Sequence, residues 1–358
     1  TFLAAGGIPG MINLGGGLPD PDTYPTAELA ELARAAVADH PEQSLAYAPI
    51  EGLHSLRAAI ARRYSTEALR LEVDNVLITS GGMQALDLLG KLFVDPGSCI
   101  AAQSPTYLGA LDAWRPREPQ FRPMQTEALA QEAEAALDGA RFAYTVPNFS
   151  NPTGALVGLE ARRALVAAAR KTGTPLVEDD PYGALYYEGS PLPRMITLDA
   201  ETFGAPDAPY DGPVIYLGTV SKELAPGLRI GWVLAAPEII KALTLVKQGS
   251  DLASSSLSQR IVCSALETGL LDRLRPAILD TYRPRRAALC EALDQQLSDH
   301  FTWEAPVGGM FVWLKARNAA MDTDALMRVG LSEGGCISPG SVFDPMGADR
   351  TGIRLNFS

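Results

Sequence analysis

The chain has 358 residues, of which 47% are hydrophobic, and this is enough to fill the cores of about two domains. Its 30 basic and 42 acidic side chains give a formal net charge of −12. Such a surface repels nucleic acids and anionic lipids, so an anionic ligand needs a local basic site.

Short β-rich segments alternate with helical segments from residue 75 to about residue 235. Apolar positions at three- and four-residue spacing predict helices over Met83–Phe93 and Leu159–Lys171, and Glu127–Leu137 is predicted to be an acidic, Ala-rich helix. The alternation is typical of a mainly parallel sheet with helical crossovers, so it predicts a large α/β domain. The predicted strands are Asn75–Thr79, Cys99–Ala102, Phe142–Val146, Pro175–Glu178, Val214–Leu217 and Ile230–Leu234.

The C-terminal part of the chain has a different pattern. Helices are predicted over Pro237–Val246 and Ser256–Leu297, and we expect Pro276 and Pro284 to break or kink the second helix, because proline removes a backbone donor. Strand-like and helical pieces then alternate over Trp303–Phe357. The three predicted parts are an N-terminal segment (1–25) near the functional site and the small domain, a large α/β domain (26–250), and an interdomain helix with a smaller α+β domain (251–358).

The cysteines and the apolar segments bear on the cellular compartment. Cys99, Cys263, Cys290 and Cys336 lie far apart without metal-ligand spacing, so we expect buried thiols in a reducing compartment and no zinc or other metal. No apolar stretch approaches the roughly 20 residues of a membrane span, and the N-terminus lacks a basic flank before its apolar residues. We therefore expect a cytoplasmic protein without membrane or nucleic-acid partners.

The most informative segment is Gly218–Gly231, with the sequence GTVSKELAPGLRIG. Lys222 follows the hydroxyl residues Thr219 and Ser221, and Arg229 lies seven residues beyond it. Hydroxyls and a guanidinium can hold a phosphate through charge-assisted hydrogen bonds, while a lysine amine beside them can attack a carbonyl. Pyridoxal 5'-phosphate (PLP) requires both a lysine and a phosphate site. A Ser-Lys pair alone is more often a solvated lysine beside a turn.

This segment resembles the signature of PLP-dependent, fold type I aminotransferases of class I and II, in the branch of the aminoadipate and kynurenine aminotransferases. The resemblance spans Ile12 to Phe357, with the motifs in the family's order. It implies a large domain with a mainly parallel sheet flanked by helices, plus a smaller α+β domain. It also implies that Lys222 holds PLP as an internal aldimine. Lys222 would then transfer the substrate's proton, because burial and the cofactor's charge lower the pKa of its amine. The reaction would transfer an amino group from an L-amino acid to a 2-oxo acid.

Two motifs lie at the carboxyl ends of predicted strands, where open α/β sheets bind their ligands. The family resemblance implies that Asn151, in Asn-Pro-Thr-Gly, binds the cofactor's phenolic oxygen next to the substrate. In Glu178-Asp179-Asp180-Pro181-Tyr182, one carboxylate would pair with the pyridine nitrogen. The family has this Asp three residues before a Tyr, so the resemblance selects Asp179 over Asp180. The same resemblance gives Tyr182 the phenolic oxygen. From the residues alone, carboxylates at the end of a strand are more often solvated or cap the next helix.

Two further motifs concern the cofactor's phosphate and ring. The strand-to-helix junction at Gly81, Gly82 and Met83 exposes backbone amides that suit a phosphate. Two glycines are equally suited to a tight loop that binds no ligand. The family often has a hydroxyl residue in this loop, and neither Gly82 nor Met83 supplies one, so we expect mostly backbone contacts here. Tyr107 occupies the family's position for an aromatic ring stacked on the pyridine, and a core aromatic is the alternative.

The substrate and a partner chain are indicated by three segments. Arg354 lies in an apolar strand without an acidic neighbour in sequence, so it needs an anion, either a structural carboxylate or the substrate's α-carboxylate. The resemblance favours the substrate, and it places Gly16 and Gly17 of the Gly-Gly-Leu-Pro loop beside it. Tyr47 matches a tyrosine that reaches the neighbouring subunit's PLP phosphate, which implies a homodimer.

Other functions stay open at this point. The same fold and cofactor support decarboxylation, elimination or replacement, racemisation and carbon–carbon bond formation. An aminotransferase-like ligand-sensing domain of a transcription factor is a further alternative, but such proteins carry a basic helix-turn-helix arm, and this acidic chain begins almost at the Gly-Gly-Leu-Pro loop. All amino acids share the carboxylate that Arg354 would bind, so the sequence does not identify the donor.

Overall fold

The computed structural model describes residues 8–125, 129–205 and 207–358. Its strands are β1 (Ile12–Asn13), β2 (Val76–Thr79), β3 (Cys99–Ser104), β4 (Gln120–Gln125), β5 (Phe142–Thr145), β6 (Leu176–Asp179), β7 (Val214–Thr219), β8 (Gly231–Leu234), β9 (Phe301–Thr302), β10 (Phe311–Ala316), β11 (Gly335–Cys336), β12 (Ser338–Pro339) and β13 (Gly352–Asn356). Its α-helices are α1 (Thr26–Asp39), α2 (Pro41–Leu45), α3 (His54–Tyr64), α4 (Gly82–Phe93), α5 (Leu108–Trp114), α6 (Leu129–Leu137), α7 (Leu159–Thr172), α8 (Met195–Phe203), α9 (Pro237–Gln248), α10 (Ser256–Glu267), α11 (Leu270–Gln296) and α12 (Thr323–Ser332).

The largest sheet has seven strands within these residues, in the order β2-β8-β7-β6-β5-β3-β4. β8 is antiparallel to both of its neighbours, and the other pairs are parallel. Every residue of β5 and β6 is buried, as expected for parallel strands covered on both faces. Parallel pairing aligns the carboxyl ends of β5, β6 and β7, so Asp179 at the end of β6 lies opposite Leu217 of β7.

A second sheet, in the order β12-β13-β10-β9, carries the C-terminal part of the chain. Arg354 of β13 lies opposite Trp313 of β10 on one side and Ser338 of β12 on the other. The short strand β1 pairs in parallel with β11, and Leu14 donates its amide to the Cys336 carbonyl at 2.9 Å. These pairings bring the N-terminal segment next to Arg354.

Local sequence explains how the helices beside the large sheet begin and end. Helix α4 begins after Gly81, whose φ of +83° is a backbone conformation that glycine adopts without strain. Its inner face buries Ala85, Leu86, Leu88 and Leu89, spaced as one side of a helix requires. Trp114, the last residue of α5, donates its indole N–H to the Leu86 carbonyl at 2.9 Å and so ties the two helices together.

The predicted strands of the large sheet are confirmed to within two residues at each end. β4 was not predicted, because its sequence, QFRPMQ, is polar and contains Pro123; proline is tolerated in this position since β4 is an edge strand. The predicted helices over Met83–Phe93, Leu159–Lys171 and Pro237–Val246 are also confirmed. For Glu127–Leu137, α6 is observed, and residues 126–128 lie outside the described residues.

Two predictions about the C-terminal part were wrong in detail. The segment Ser256–Leu297 is interrupted at Gly269, whose φ is +65°, and α11 continues through both Pro276 and Pro284. The buried side chains of Ile278 and Tyr282 flank these prolines on α11, so tertiary packing retains the helix despite the lost donors.

The four cysteines are free, but only Cys263 and Cys336 are buried. Cys99 and Cys290 are half-buried, so the prediction of four buried thiols was wrong for these two. Along the described ranges, no helix combines the length and the apolar character needed to cross a bilayer.

The packing of Trp114 predicts a large effect on stability. Its ring is fully buried, with ring centroids 5.0 Å from those of Phe142 and Tyr144 on β5. Trp114→Ala should lower the free energy of unfolding by about 3 to 5 kcal/mol, because the substitution leaves a large cavity. Urea unfolding measures this, with exposed Leu245→Ala as the control. Equal losses in the two variants would contradict the packing described for Trp114.

Candidate active site

A cavity of about 360 Å³ opens at the carboxyl edge of the large sheet, between that sheet and Arg354 of the small one. Of the sequence-predicted site residues, those lining it are Gly16, Gly17, Gly82, Met83, Tyr107, Asn151, Asp179, Tyr182, Thr219, Ser221, Lys222, Arg229 and Arg354. Gly81 lies just outside this lining, against Arg229. Tyr47 is not among the lining residues, and 90% of it is exposed. The structure therefore brings the predicted residues together, apart from Tyr47.

The Lys222 amine lies in the cavity just beyond β7. Its Nζ donates to the Gly17 carbonyl at 2.6 Å and lies 5.9 Å from the centroid of the Tyr182 ring. Burial lowers the pKa of Lys222 to about 8, and the charges of Arg354 and Arg229 act in the same direction. The sequence prediction included both arginines in the site, but it attributed the lowered pKa of Lys222 to burial and to the cofactor's charge. A substantial fraction of this amine is therefore neutral at a pH near 8.

Asp179 is an almost buried carboxylate, with 8% of its surface exposed. Burial raises its pKa to about 7; the hydrogen bond from Tyr144 opposes this shift, and the charge of Asp180 adds to it. The Tyr144 hydroxyl donates to Asp179 Oδ2 at 2.6 Å. Asp180 instead accepts hydrogen bonds from Asn148 and Tyr216, at 2.8 and 2.9 Å. Only Asp179 of the two lines the cavity, as the spacing from Tyr182 predicted.

Hydroxyls, a guanidinium and backbone amides converge at the other end of the cavity. Thr219 Oγ1 and Ser221 Oγ lie 2.9 Å apart, and the guanidinium of Arg229 donates to the Ser80 carbonyl at 3.4 Å. A Cβ at Gly81 would lie 2.3 Å from Arg229 Nη2, so glycine is required for this close approach. Helix α4 begins at Gly82 with unpaired backbone amides. This donor set has the chemistry of a phosphate site.

An ion pair between a buried lysine and an exposed aspartate supports the loop that carries these amides. The Ser80 hydroxyl donates to Asp251 Oδ2 at 2.9 Å, and the Ser80 amide donates to Gln84 Oε1 at 2.7 Å. The other oxygen of Asp251 accepts a hydrogen bond from Lys247 Nζ at 2.7 Å, and the Lys247 side chain is completely buried. Hydrogen bonds from Ser80 to Asp251 and from Lys247 to Asp251 therefore hold the loop in place.

Arg354 is 6% exposed and is held by neutral groups. Its Nη1 donates to Asn151 Oδ1 at 2.8 Å, and its Nη2 donates to the Gly15 carbonyl and, at 3.3 Å, to Ser338 Oγ. The guanidinium carbon lies 4.6 Å from the centroid of the Phe311 ring, and burial lowers the pKa of Arg354 to about 10. Its Nε has no hydrogen-bond partner among the residues that the structure describes. The described partners are an amide, a carbonyl and a hydroxyl, which leaves the positive charge for an anion entering the cavity.

Tyr182 and Tyr107 form aromatic walls of the cavity. The Tyr182 ring lies edge-on to Phe311, with ring centroids 5.6 Å apart. Burial raises the pKa of the Tyr182 phenol, and the nearby Asn151 side chain opposes this shift. Tyr107 directly precedes α5, and its hydroxyl donates to the Met83 sulfur at 3.5 Å.

Sequence reasoning missed four residues that support the site: Tyr144, Ser338, Lys247 and Asp251. Tyr144 is one of several apolar or aromatic residues of a buried strand, so nothing in its local sequence distinguishes it. Ser338 lies on a two-residue strand, and Lys247 lies on a helix whose other lysine, Lys241, is exposed. Their contacts depend on distant segments, so only the fold identifies them.

Comparisons with known proteins agree with this geometry. The family model for aminotransferase class I and II matches residues 9–357. The chain is 36% identical to the aromatic-amino-acid aminotransferase 1 of Thermococcus litoralis, over 97% of this chain and 84% of that protein. The crystal structure of LysN, the α-aminoadipate aminotransferase of Thermus thermophilus, complexed with N-(5'-phosphopyridoxyl)-L-leucine, has a TM-score of 0.89 and 35% identity. The match covers 100% of this chain and 89% of that chain.

An uncharacterized HTH-type transcriptional regulator of Bacillus subtilis, YdfD, is also similar, with 31% identity over 97% of this chain and 70% of the regulator. The enzyme relatives match with higher identity and over a larger share of their own length. The regulator and the other PLP reactions are therefore not favoured.

The chain belongs to the aminotransferase class I and II family. It is an enzyme, a PLP-dependent aminotransferase of fold type I with an α/β architecture. The cavity fits this cofactor, since it combines a buried carboxylate and a lysine amine with the phosphate-binding donors around Arg229. A Cβ at Gly81 would occupy the place of the Arg229 guanidinium.

The raised pKa of Asp179 predicts a pH-dependent stability of the PLP-free protein. The folded state binds more protons than the unfolded state between the ordinary value, 3.8, and about 7, so this carboxyl reduces stability as the pH rises through that interval. Asp179→Asn removes the charge, so it should raise the free energy of unfolding by an amount of order 2 to 4 kcal/mol above about pH 7 and by little below about pH 4.

Urea unfolding of the PLP-free protein at about pH 4, 6 and 8 measures this difference. Asp74→Asn is the control, because the Asp74 side chain is 79% exposed. A difference between Asp179→Asn and wild type that stays constant over this pH range would contradict the raised pKa.

Proposed function

We propose that the residues lining the cavity transfer an amino group from an L-amino acid to a 2-oxo acid with PLP attached at Lys222. The observation that carries this proposal is the arrangement of an amine with a pKa of about 8, a buried carboxylate and a buried guanidinium around one cavity. Bound PLP supplies an electron sink for the negative charge that forms at the substrate's Cα.

The cofactor-binding roles follow the chemistry of each group. Asp179 pairs with the pyridine nitrogen, because a buried anion stabilises its protonated form. Asn151 and Tyr182 bind the phenolic oxygen, and the Tyr107 ring stacks on the pyridine. The phosphate is bound by Thr219, Ser221, Arg229 and the backbone of Gly81, Gly82 and Met83. These roles are supported by the positions of the groups around the cavity and by the similarity to the family.

Lys222 has two tasks in this proposal. Its Nζ would be the point of attachment for PLP, and as a free, neutral amine the same Nζ would move the proton at the substrate's Cα. A pKa of about 8 suits both directions of transfer near neutral pH. The Gly17 carbonyl, 2.6 Å from Nζ, orients the amine.

Arg354 binds the α-carboxylate of the substrate. The guanidinium offers paired N–H donors that match a carboxylate, and the Phe311 ring below it restricts its orientation. Gly17 lies close to the Arg354 guanidinium and the Phe311 ring. A Cβ at Gly17 would lie 3.1 Å from Phe311 Cζ and 4.0 Å from Arg354 Nη1. Gly17 therefore keeps space for the substrate beside Arg354, and Gly16 lines the same cavity.

A second subunit completes the site through Tyr47. This side chain is 90% exposed, the nearby Leu45 is 66% exposed, and neither lines the cavity of its own chain. Exposed aromatic and aliphatic residues on one segment suit a protein interface. Tyr47 then lies at the PLP phosphate of a partner subunit in a homodimer.

The proposal extends to the organisation and location of the chain. An N-terminal segment (1–25), a large domain (26–250) and a C-terminal part (251–358) are supported by the separate sheets and by the pairing of β1 with β11. A cytoplasmic location is supported by four free cysteines, which suit a reducing compartment.

The attachment site is tested with Lys222→Ala. Borohydride reduction of the wild-type protein loaded with PLP, followed by peptide mass spectrometry, should locate the cofactor on the peptide that contains Lys222, and the variant should carry none. The wild type should convert a donor amino acid to its oxo acid in one stoichiometric half-reaction, and Lys222→Ala should lose this activity. Exposed Lys241→Ala is the control. Attachment at another lysine, or release of carbon dioxide without oxo acid, would overturn the proposal.

The role of Tyr47 is tested by mixing subunits. Lys222→Ala and Tyr47→Ala homodimers should each have low activity. A heterodimer of the two variants should recover about half of the wild-type activity, because one site combines an intact Lys222 with the partner's intact Tyr47. Co-expression with two affinity tags isolates the heterodimer, and the initial rate of oxo-acid formation measures recovery. Activity no higher than in the Tyr47→Ala homodimer would show that Tyr47 acts within its own chain or not at all.

A further inference from the structure

The hydrogen bond between Tyr144 and Asp179 is a short contact to a buried carboxylate. The hydroxyl oxygen lies 2.6 Å from Asp179 Oδ2, within the range of charge-assisted O–H···O⁻ bonds. Tyr144 lies on β5 opposite Val177 of β6, two residues before Asp179. The contact therefore joins neighbouring strands of the sheet directly beneath the cavity.

The position of the Tyr144 hydroxyl is fixed by packing. Its ring is fully buried and lies edge-on to Trp114, with ring centroids 5.0 Å apart and an interplanar angle of 84°. Trp114 is itself held by its hydrogen bond to the Leu86 carbonyl. A hydroxyl on a ring held in this way can act as a rigid donor.

The chain contains a matched arrangement one residue further along. The Tyr216 hydroxyl donates to Asp180 Oδ2 at 2.9 Å, and Tyr216 is also buried. Asp180, however, receives a second hydrogen bond from Asn148 and does not line the cavity. Two buried tyrosine–carboxylate pairs thus lie side by side, and only one of them faces the proposed PLP site.

We propose that Tyr144 is a positioning residue, which holds the Asp179 carboxylate as an anion oriented toward the pyridine nitrogen of PLP. The inference rests on the proposed role of Asp179. By occupying Oδ2, the Tyr144 hydroxyl fixes the rotation of the carboxylate and leaves Oδ1 for the cofactor. Tyr144 acts through Asp179 and does not itself touch the substrate.

The charges around Asp179 support this role. The groups that interact with it electrostatically are Asp180 next to it in the chain, Tyr144 on β5, and the phenols of Tyr107 and Tyr182. Asp180 favours the neutral form of Asp179, whereas the hydrogen bond from Tyr144 favours the anion and lowers the pKa of the carboxyl. Removal of the hydroxyl therefore raises the pKa of Asp179 and increases its neutral fraction near pH 7.

The test uses Tyr144→Phe, with Tyr216→Phe as the matched control. Both substitutions keep the ring and delete a buried hydroxyl that bonds to a strand-end carboxylate. The dissociation constant for PLP is measured by absorbance titration of the apoproteins between about pH 6 and pH 9. Tyr144→Phe should weaken PLP binding roughly ten- to one-hundredfold, as expected for the loss of a hydrogen bond to a charged group. Its decline in affinity with falling pH should also begin at a higher pH than in wild type.

A double-mutant cycle separates positioning from a general effect on folding. Asp179→Asn should also weaken PLP binding, and the double variant Tyr144→Phe/Asp179→Asn should bind PLP no more weakly than Asp179→Asn alone. Additive losses in the cycle, or an equal loss in Tyr216→Phe, would overturn the role of Tyr144. If Asp179→Asn binds PLP as tightly as wild type, the proposed role of Asp179 fails, and the inference about Tyr144 fails with it. If PLP attachment at Lys222 fails instead, the proposed function is wrong.

Discussion

The site depends on three ionisable groups that are removed from water without being neutralised by one another. Lys222, Asp179 and Arg354 all line one cavity, and burial is the largest cause of the pKa shift of each. A charge in such a place costs free energy unless a ligand compensates it. In the proposed function, the cofactor's aldehyde and pyridine nitrogen and the substrate's carboxylate compensate these three groups, so the free-energy cost of burying them would be recovered when cofactor and substrate bind.

The two sheets divide these groups between them. Asp179 is the last residue of β6 and the segment with Lys222 follows β7, both in the large sheet, whereas Arg354 lies on β13 of the small one. The positions of Asp179 and Thr219 are set by parallel strands whose carboxyl ends align. In the proposed function, the large sheet positions the groups that bind the cofactor, and the small sheet positions the group that binds the substrate. The N-terminal segment contacts both Lys222 and Arg354.

Much of the site was predictable from sequence because its key residues lie in short local motifs. Lys222 and Arg229 occur within one segment of 14 residues, and Asp179 precedes Tyr182 by the three positions seen in the family, so the resemblance separated Asp179 from Asp180. Tyr144 has no such signal, because it meets Asp179 only through the pairing of β5 with β6. The break in the C-terminal helices was misplaced for a related reason: Gly269 adopts a positive φ, whereas packing retains Pro276 and Pro284 inside α11.

The backbone of the Gly-Gly-Leu-Pro loop contacts both cations of the site, Lys222 and Arg354. The Gly17 carbonyl accepts from Lys222, and the Gly15 carbonyl, two residues away, accepts from Arg354. One short backbone segment therefore accepts hydrogen bonds from both cations. A shift of this segment would change the hydrogen bonds of Lys222 and Arg354 together, so the two halves of the cavity share one structural element.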